Sequence, residues 1–245
     1  MKGLRIAMWS GPRNISTAMM RAWENRRDTA VIDEPFYAYY LLNTATNHPG
    51  RDEVLASQST DWRAVASMLA GPIPGGKTIW YQKHMTQHIL PDMPLDWLDG
   101  LVNCFLIRAP REVVVSFTAI RPDAAIWELG FEQQLRIFEH VCRQNAGVPP
   151  IVDAADILKD PAGMLHALCT RLDVPFSERM LHWPAGKRAS DGVWAKYWYQ
   201  AVERSTGFDT YKPRKPELSA FQKRLVEQCQ PLYERLWTQR ILPAA

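Results

Sequence analysis

Five short apolar runs punctuate the chain: Leu4–Trp9, Ala30–Asp33, Thr78–Gln82, Leu101–Ile107 and Ile151–Asp153, each bounded by turn-forming or polar residues. Runs this short predict strands, and their lack of regular polar alternation predicts burial on both faces. Between them, helical spacing covers Ser16–Arg26, Trp62–Leu69, Arg111–Ile120, Phe131–Asn145 and Asp160–Asp173, the last with Asp160 as N-cap and Pro161 in the first turn. Strands alternating with helices imply an α/β fold: a central parallel sheet with helices on both faces, a three-layer α/β/α arrangement joined by right-handed crossovers.

Two segments break the alternation. Residues 37–76 are long, mixed in character and end in "GPIPGGK", which predicts an inserted loop and helix covering one end of the sheet. Beyond Pro175 the chain turns irregular and aromatic, "HWPAGKRASDGVWAKYWYQAV", before a final amphipathic helix near Glu217–Arg240. With no repeat, low-complexity tract or linker, residues 1–245 read as a single domain.

Composition narrows the function classes. The chain has 245 residues, 47% of them hydrophobic, enough for a full core. Its net charge of +3 comes from 29 basic and 26 acidic residues spread along the chain, so neither nucleic acid nor an anionic membrane is an expected partner. Cys104, Cys142, Cys169 and Cys229 lie far apart with no CxxC pair, which suggests reduced thiols rather than a disulfide framework or zinc site. The apolar run at the start is too short for a signal peptide, and no run approaches the roughly 18 residues of a membrane span. A cytoplasmic protein is expected.

The candidate chemistry begins in "SGPRNIST", between the first strand and the first helix. A strand-to-helix loop offers unpaired backbone N–H groups and the positive end of the helix dipole to an anion. Gly11 allows a tight turn, Arg13 supplies a planar cationic fork, and Ser16 and Thr17 add hydroxyls. The same residues also fit an ordinary β-to-α turn in which Ser16 or Thr17 caps the helix. The GxxxxGK[ST] pattern of nucleoside triphosphatases is not matched, since Ile15 and Ser16 stand where its glycine and lysine belong. "AVIDE" looks like a magnesium-binding strand end, a pattern that short apolar strands often show.

A second stretch, "CFLIRAPREVVVSF", puts Arg108 at the end of a buried strand and Ser116 eight residues later on the next helix, both within reach of one anion at the sheet's carboxyl edge. Together these stretches resemble the sulfotransferase family, which transfers a sulfuryl group from 3′-phosphoadenosine 5′-phosphosulfate and has a P-loop-type α/β fold. The resemblance implies that the loop Gly11, Pro12, Arg13, Asn14, Ile15, Ser16 and Thr17 binds the 5′-phosphosulfate, and that Arg108 and Ser116 bind the 3′-phosphate. "GKRASDGVWAKYW" is similar to a late loop of the family and implies that Arg188 lies near the 3′-phosphate, although Ala189 and Ser190 replace the usual basic-glycine pair. "YQKHM" is similar to the family's Lys-Thr-His segment, with Lys83 and His84 adjacent here rather than one residue apart. "DEPFY", "YQKHM" and "DGVWAKYWY" look most like a bacterial branch of small sulfotransferase-like proteins.

The implied reaction is in-line attack on sulfur by the hydroxyl or amine of a small-molecule acceptor, with Arg13, the loop amides and Lys83 stabilising the developing charge. His84 and Glu34 are the two candidate bases, each implied by a different branch of the family, and Asp33 is expected to orient neighbouring donors. No metal is called for, and His88, near His84 in sequence, has no third ligand to make a metal site. Phe36, Tyr37, Tyr39 and Tyr40 are candidates to line an acceptor pocket; Trp194, Tyr197, Trp198 and Tyr199 fit either contact with adenine or packing of the late loop, with packing favoured. A small-molecule kinase and a non-catalytic nucleotide-binding protein are the rival readings. Acceptor identity and oligomeric state are not expressed in the sequence.

Overall fold

The computed structural model describes residues 3–144, 147–213 and 216–242. Its strands are β1 (Leu4–Ser10), β2 (Thr29–Asp33), β3 (Ile79–Met85), β4 (Val102–Ile107) and β5 (Ile151–Asp153). All pair in parallel in the order β2-β3-β1-β4-β5. All five runs anticipated from the sequence are strands, β3 extending three residues further, through Lys83 and His84. The connections after β1 lead to one side of the sheet and those after β3 to the other, so the topological switch falls at β1. In open α/β sheets ligands bind at that point, outside the carboxyl ends of the strands.

The helices are α1 (Ser16–Glu24), α2 (Tyr37–Asn43), α3 (Arg51–Ser57), α4 (Trp62–Ala70), α5 (Pro110–Thr118), α6 (Phe131–Gln144), α7 (Ala154–Lys159), α8 (Pro161–Arg171), α9 (Ala195–Trp198), α10 (Gln200–Glu203) and α11 (Ala220–Trp237). The predicted end of α6 at Asn145 lies outside the described residues. As expected, Asp160 caps α8 by accepting from the Gly163 amide, with Pro161 in the first turn.

The period of two along β1 separates the two cores. Ala7 and Trp9 face the layer built by α4, α5, α6 and α11, where they meet Leu69, Val114, Phe138 and Leu225. Ile6 and Met8 face α1, α7 and α8, where they meet Met19, Trp23, Ile157 and Leu165. Burying whole Leu, Met and Phe side chains contributes about 1.5–3 kcal/mol each, so both layers hold the sheet firmly. No helix among the described residues is long and apolar enough to cross a membrane.

The segment 37–76 contains more structure than the loop and helix expected of it: α2, α3, α4 and a short 3-10 turn at Pro74–Gly76. Helix α2 escaped the periodicity because Tyr37, Ala38, Tyr39, Tyr40 and Leu41 are all buried, so no polar face marks it. With Trp194 and Tyr199 from the late aromatic segment, Tyr37, Tyr40 and Leu41 form a third small core.

Candidate active site

The carboxyl ends of β1, β2, β3 and β4 gather the candidate residues along one edge. The loop after β1 is held by close contacts that leave its outer surface available. Gly11 passes so near the Leu129 carbonyl that a Cβ would lie 2.8 Å from that oxygen, which explains glycine at this position. Asn14 donates to the Leu106 carbonyl of β4 at 2.7 Å. Gln134 of α6 donates to the Trp9 and Leu106 carbonyls, both at 3.1 Å, pinning together the ends of β1 and β4. Ile15 occupies the N-cap of α1, and no side chain caps the helix. Ser16 and Thr17 therefore lie inside the first turn rather than capping it, and the amides of that turn stay oriented for an anion.

Arg13, Arg108 and Ser116 come together at this loop. Arg13 Nε donates to Ser116 Oγ at 2.9 Å, and Arg108 Nη1 donates to the Arg13 carbonyl at 2.6 Å. Arg108 is aimed by Glu112, whose Oε2 accepts from Arg108 Nε at 2.8 Å while its Oε1 accepts from the Tyr211 hydroxyl at 2.8 Å. Burial, followed by repulsion from Arg108, lowers the Arg13 pKa. Two guanidinium groups forced into proximity form a site that an anion stabilises.

Beside them, on the face of the sheet covered by α1, Lys83 projects from β3. Its ammonium donates to Asp33 Oδ1 at 2.8 Å, Glu34 Oε1 at 2.5 Å and the Tyr199 hydroxyl at 2.8 Å. Burial opposes the charge on Lys83, but Asp33 and Glu34 outweigh it and hold its pKa well above the ordinary lysine value. Burial raises the Glu34 pKa, an effect that Lys83 offsets only in part. Asp33 orients donors as expected, accepting also from Tyr199 at 2.7 Å and from the Gly192 amide at 3.3 Å. Because a lysine ammonium sits between the two carboxylates, "IDE" here forms an ion-pair cluster.

Backbone strain concentrates at the same edge. Among the described residues four non-glycines have positive φ, and three of them, Arg13 (60°), Ile15 (47°) and Glu34 (41°), belong to this site. Such conformations cost about 1–3 kcal/mol each and persist where the surroundings impose them.

His84 is placed apart from this cluster. Adjacent strand residues face opposite ways, so His84 lies on the other face from Lys83, stacked on Trp9 with ring centroids 4.2 Å apart and its Nε2 3.3 Å from Gln82 Oε1. Burial, then Lys83, pushes its pKa down to about 3, so its ring is neutral. Arg188 is likewise not brought to Arg108. It donates to the Pro184 carbonyl at 2.8 Å and lies 3.9 Å from Glu24, at the far end of α1 from the loop. Phe36, Tyr37, Tyr39 and Tyr40 are packed within cores rather than lining an open pocket. Glu112 and Gln134 carry no sequence signal for the site, and Tyr199, expected chiefly to pack the late loop, bonds Lys83 and Asp33. Glu112 follows Arg108 by four residues, but their bond spans a strand end and a helix start, where no periodicity applies.

A loop able to bind an oxyanion, at the switch point of a parallel sheet, fits several nucleotide-dependent families, and comparison with known proteins decides among them. The sequence profile of the sulfotransferase domain matches residues 4–240. The chain belongs to the sulfotransferase domain family. Sulfuryl transfer is the reaction class of that family. Among solved structures, the fold is similar to a sulfotransferase domain from the curacin biosynthetic pathway, with a TM-score of 0.55 and 18% identity over 99% of both chains. It is similar also to a sulfotransferase domain from the Synechococcus PCC 7002 olefin synthase, with a TM-score of 0.54 and 16% identity over 99% of this chain and 98% of that one. At these identities the likeness concerns the fold. Two Arabidopsis thaliana proteins named branched-chain-amino-acid aminotransferase-like protein 2 and protein 1 are 35% and 37% identical across 94% of this chain. The sulfotransferase-family chain spans 41% of the length of each of them.

Proposed function

We propose that this chain moves a sulfuryl group from 3′-phosphoadenosine 5′-phosphosulfate to a hydroxyl or amine of a small-molecule acceptor. The observation that carries the proposal is the pairing of Arg13 with Arg108 around Ser116, beside a helix start that no side chain caps. The residues fit the donor: two guanidinium forks and a hydroxyl suit a terminal phosphate, and the loop amides suit the phosphosulfate chain.

The donor supplies an activated sulfur–oxygen bond. Transfer forms a bond from the acceptor's oxygen or nitrogen to sulfur and breaks the bond from sulfur to the phosphate oxygen, which keeps the electron pair. Arg13 and the loop amides meet the charge that grows on that oxygen. Lys83 serves the carboxylates, since its three N–H groups are all engaged by Asp33, Glu34 and Tyr199. Glu34 is the base in this reading: it lies at the sheet edge, and its raised pKa suits a proton acceptor better than an ordinary surface glutamate. The His84 ring packs among Trp9, Phe36 and Trp97, with Gln82 as its hydrogen-bond partner and no bond to Glu34 among the described residues.

Calorimetry with 3′,5′-adenosine bisphosphate and, separately, with ATP and magnesium tests the donor assignment. Preferential binding of the bisphosphate is expected. Preference for ATP with magnesium would refute the proposal in favour of a kinase.

A further inference from the structure

Among the described residues, the cluster on the α1 face of the sheet is saturated with hydrogen bonds except at one atom. A lysine ammonium has three donors, and those of Lys83 are taken by Asp33 Oδ1, Glu34 Oε1 and the Tyr199 oxygen. A tyrosine hydroxyl has one proton and two lone pairs. Tyr199 gives its proton to Asp33 Oδ2 at 2.7 Å and accepts from Lys83 at 2.8 Å and from Trp194 Nε1 at 3.2 Å. Both oxygens of Asp33 and one of Glu34 are thereby occupied. Glu34 Oε2 remains, with His88 Nε2 4.0 Å away and too far for a hydrogen bond. The side chains of Asp33 and Lys83 are each 1% exposed and that of Glu34 11%, so Glu34 is the corner of the cluster that opens outward.

We propose that Tyr199 is a positioning residue for the transfer reaction: its hydroxyl completes the coordination of Lys83 and Asp33 and so leaves Glu34 Oε2 as the one carboxylate oxygen free to take the acceptor's proton. This rests on the reading of Glu34 as the base. The same hydroxyl fastens the late segment to the sheet edge, because Trp194 donates to it and stacks edge-on against Tyr37, with ring centroids 5.1 Å apart. The Gly192 amide adds a second link to Asp33. Without the hydroxyl, Asp33 Oδ2 keeps only the longer bond from the Gly192 amide and draws the ammonium toward itself and away from Glu34 Oε1.

The charged and titratable groups facing Glu34 are Lys83 from β3, Asp33 from β2, Tyr199 and Tyr37 from the segments packed on it, and His88 beyond β3. Of these, Lys83 holds the Glu34 pKa down most strongly, against burial and against Asp33. Drawing its ammonium away on loss of the Tyr199 hydroxyl therefore raises it.

The test is Tyr199→Phe in the full chain with two readouts: carbon-13 NMR titration of the Glu34 carboxyl, and the single-turnover rate of 3′,5′-adenosine bisphosphate release from 3′-phosphoadenosine 5′-phosphosulfate with water as acceptor. The expected result is an upward move of the Glu34 titration and a rate lower by about tenfold to a hundredfold, as for a misplaced catalytic group, with bisphosphate affinity unchanged. A purely structural tyrosine lowers the melting temperature and moves neither readout, an outcome that overturns the inference and leaves the reaction standing. A wild-type chain that neither binds the bisphosphate nor consumes the donor overturns the reaction and this role with it. If Tyr199→Phe fails to fold, Trp194→Phe removes one bond to the same hydroxyl, and a smaller shift in the same direction is expected; an unmoved Glu34 titration in that variant refutes the role.

Discussion

Arg13 Nε and Ser116 Oγ meet at 2.9 Å although 103 positions separate them in the chain. The bond joins the loop after β1 to helix α5, which follows β4, so the two neighbouring strands present their basic groups to one point. Arg108 closes the arrangement by donating to the Arg13 carbonyl, which leaves two cationic forks beside a single hydroxyl.

Replacing Arg108 by alanine is expected to weaken binding of 3′,5′-adenosine bisphosphate by about tenfold to a hundredfold, the value of one or two charge-assisted hydrogen bonds. Binding of 5′-AMP, which has no 3′-phosphate, is expected to change far less. Calorimetry on both nucleotides checks the assignment, and equal losses would remove Arg108 from the 3′-phosphate.

Substitution of Glu34 by glutamine preserves the shape of the cluster and removes its base. A fall of about 10²–10⁴ in the transfer rate is expected, the usual contribution of a general base, with bisphosphate affinity retained. His84→Phe keeps a flat ring on Trp9, and its rate is expected to match that of the wild type. The opposite pattern in single-turnover assays would move the role of base to His84.

Stability is expected to fall steeply on acidification. The His48 pKa is pushed down to about 4, first by burial and then by Arg121, and that of His84 to about 3. Burial also lowers that of His88. The unfolded chain protonates all three near pH 6.5 while the folded chain resists, so the unfolded state binds more protons and stability drops as pH decreases. Each residue adds up to about 1.4 kcal/mol per pH unit between 6.5 and its folded pKa. Urea denaturation at pH 7.5, 6.0 and 5.0 measures this slope, and a flat profile would mean that the imidazoles are solvated.

The late segment is fixed to α1 by a buried ion pair: Arg21 Nη2 lies 2.7 Å from Asp191 Oδ1, and the two side chains are 1% and 5% exposed. Breaking it from one side leaves a buried charge, so Arg21→Met is expected to cost about 3–5 kcal/mol. Adding Asp191→Leu is expected to restore part of that loss, and chemical denaturation of the single and double variants measures the coupling.

Much of this was legible along the chain because the relevant signals are local. The five strands follow from short apolar runs, the cap of α8 from Asp160 and Pro161, and the strand-to-helix loop from its turn residues between β1 and α1. The adjacency of Lys83 and His84 already implied that they face opposite sides, as their contacts with Asp33 and Trp9 confirm. Helix α2 was hidden because Tyr37 to Leu41 are all buried and the exposed Leu42 is apolar, which erases the polar face by which a helix is read. The place of Arg188 was not legible, because its partners, Glu24 and the Pro184 carbonyl, hold it at the distal end of α1 through long-range packing.

By itself, then, the sequence determined the alternation of elements and the parallel sheet, since each depends on patterns a few residues long. Only the tertiary structure decided which residues share a site. Tyr199 reaches Lys83 across 116 positions and Asp33 across 166, and no periodicity extends over such intervals. Their meeting is enforced by burial, because Lys83, Asp33 and the tyrosine hydroxyl, once removed from water, must satisfy one another.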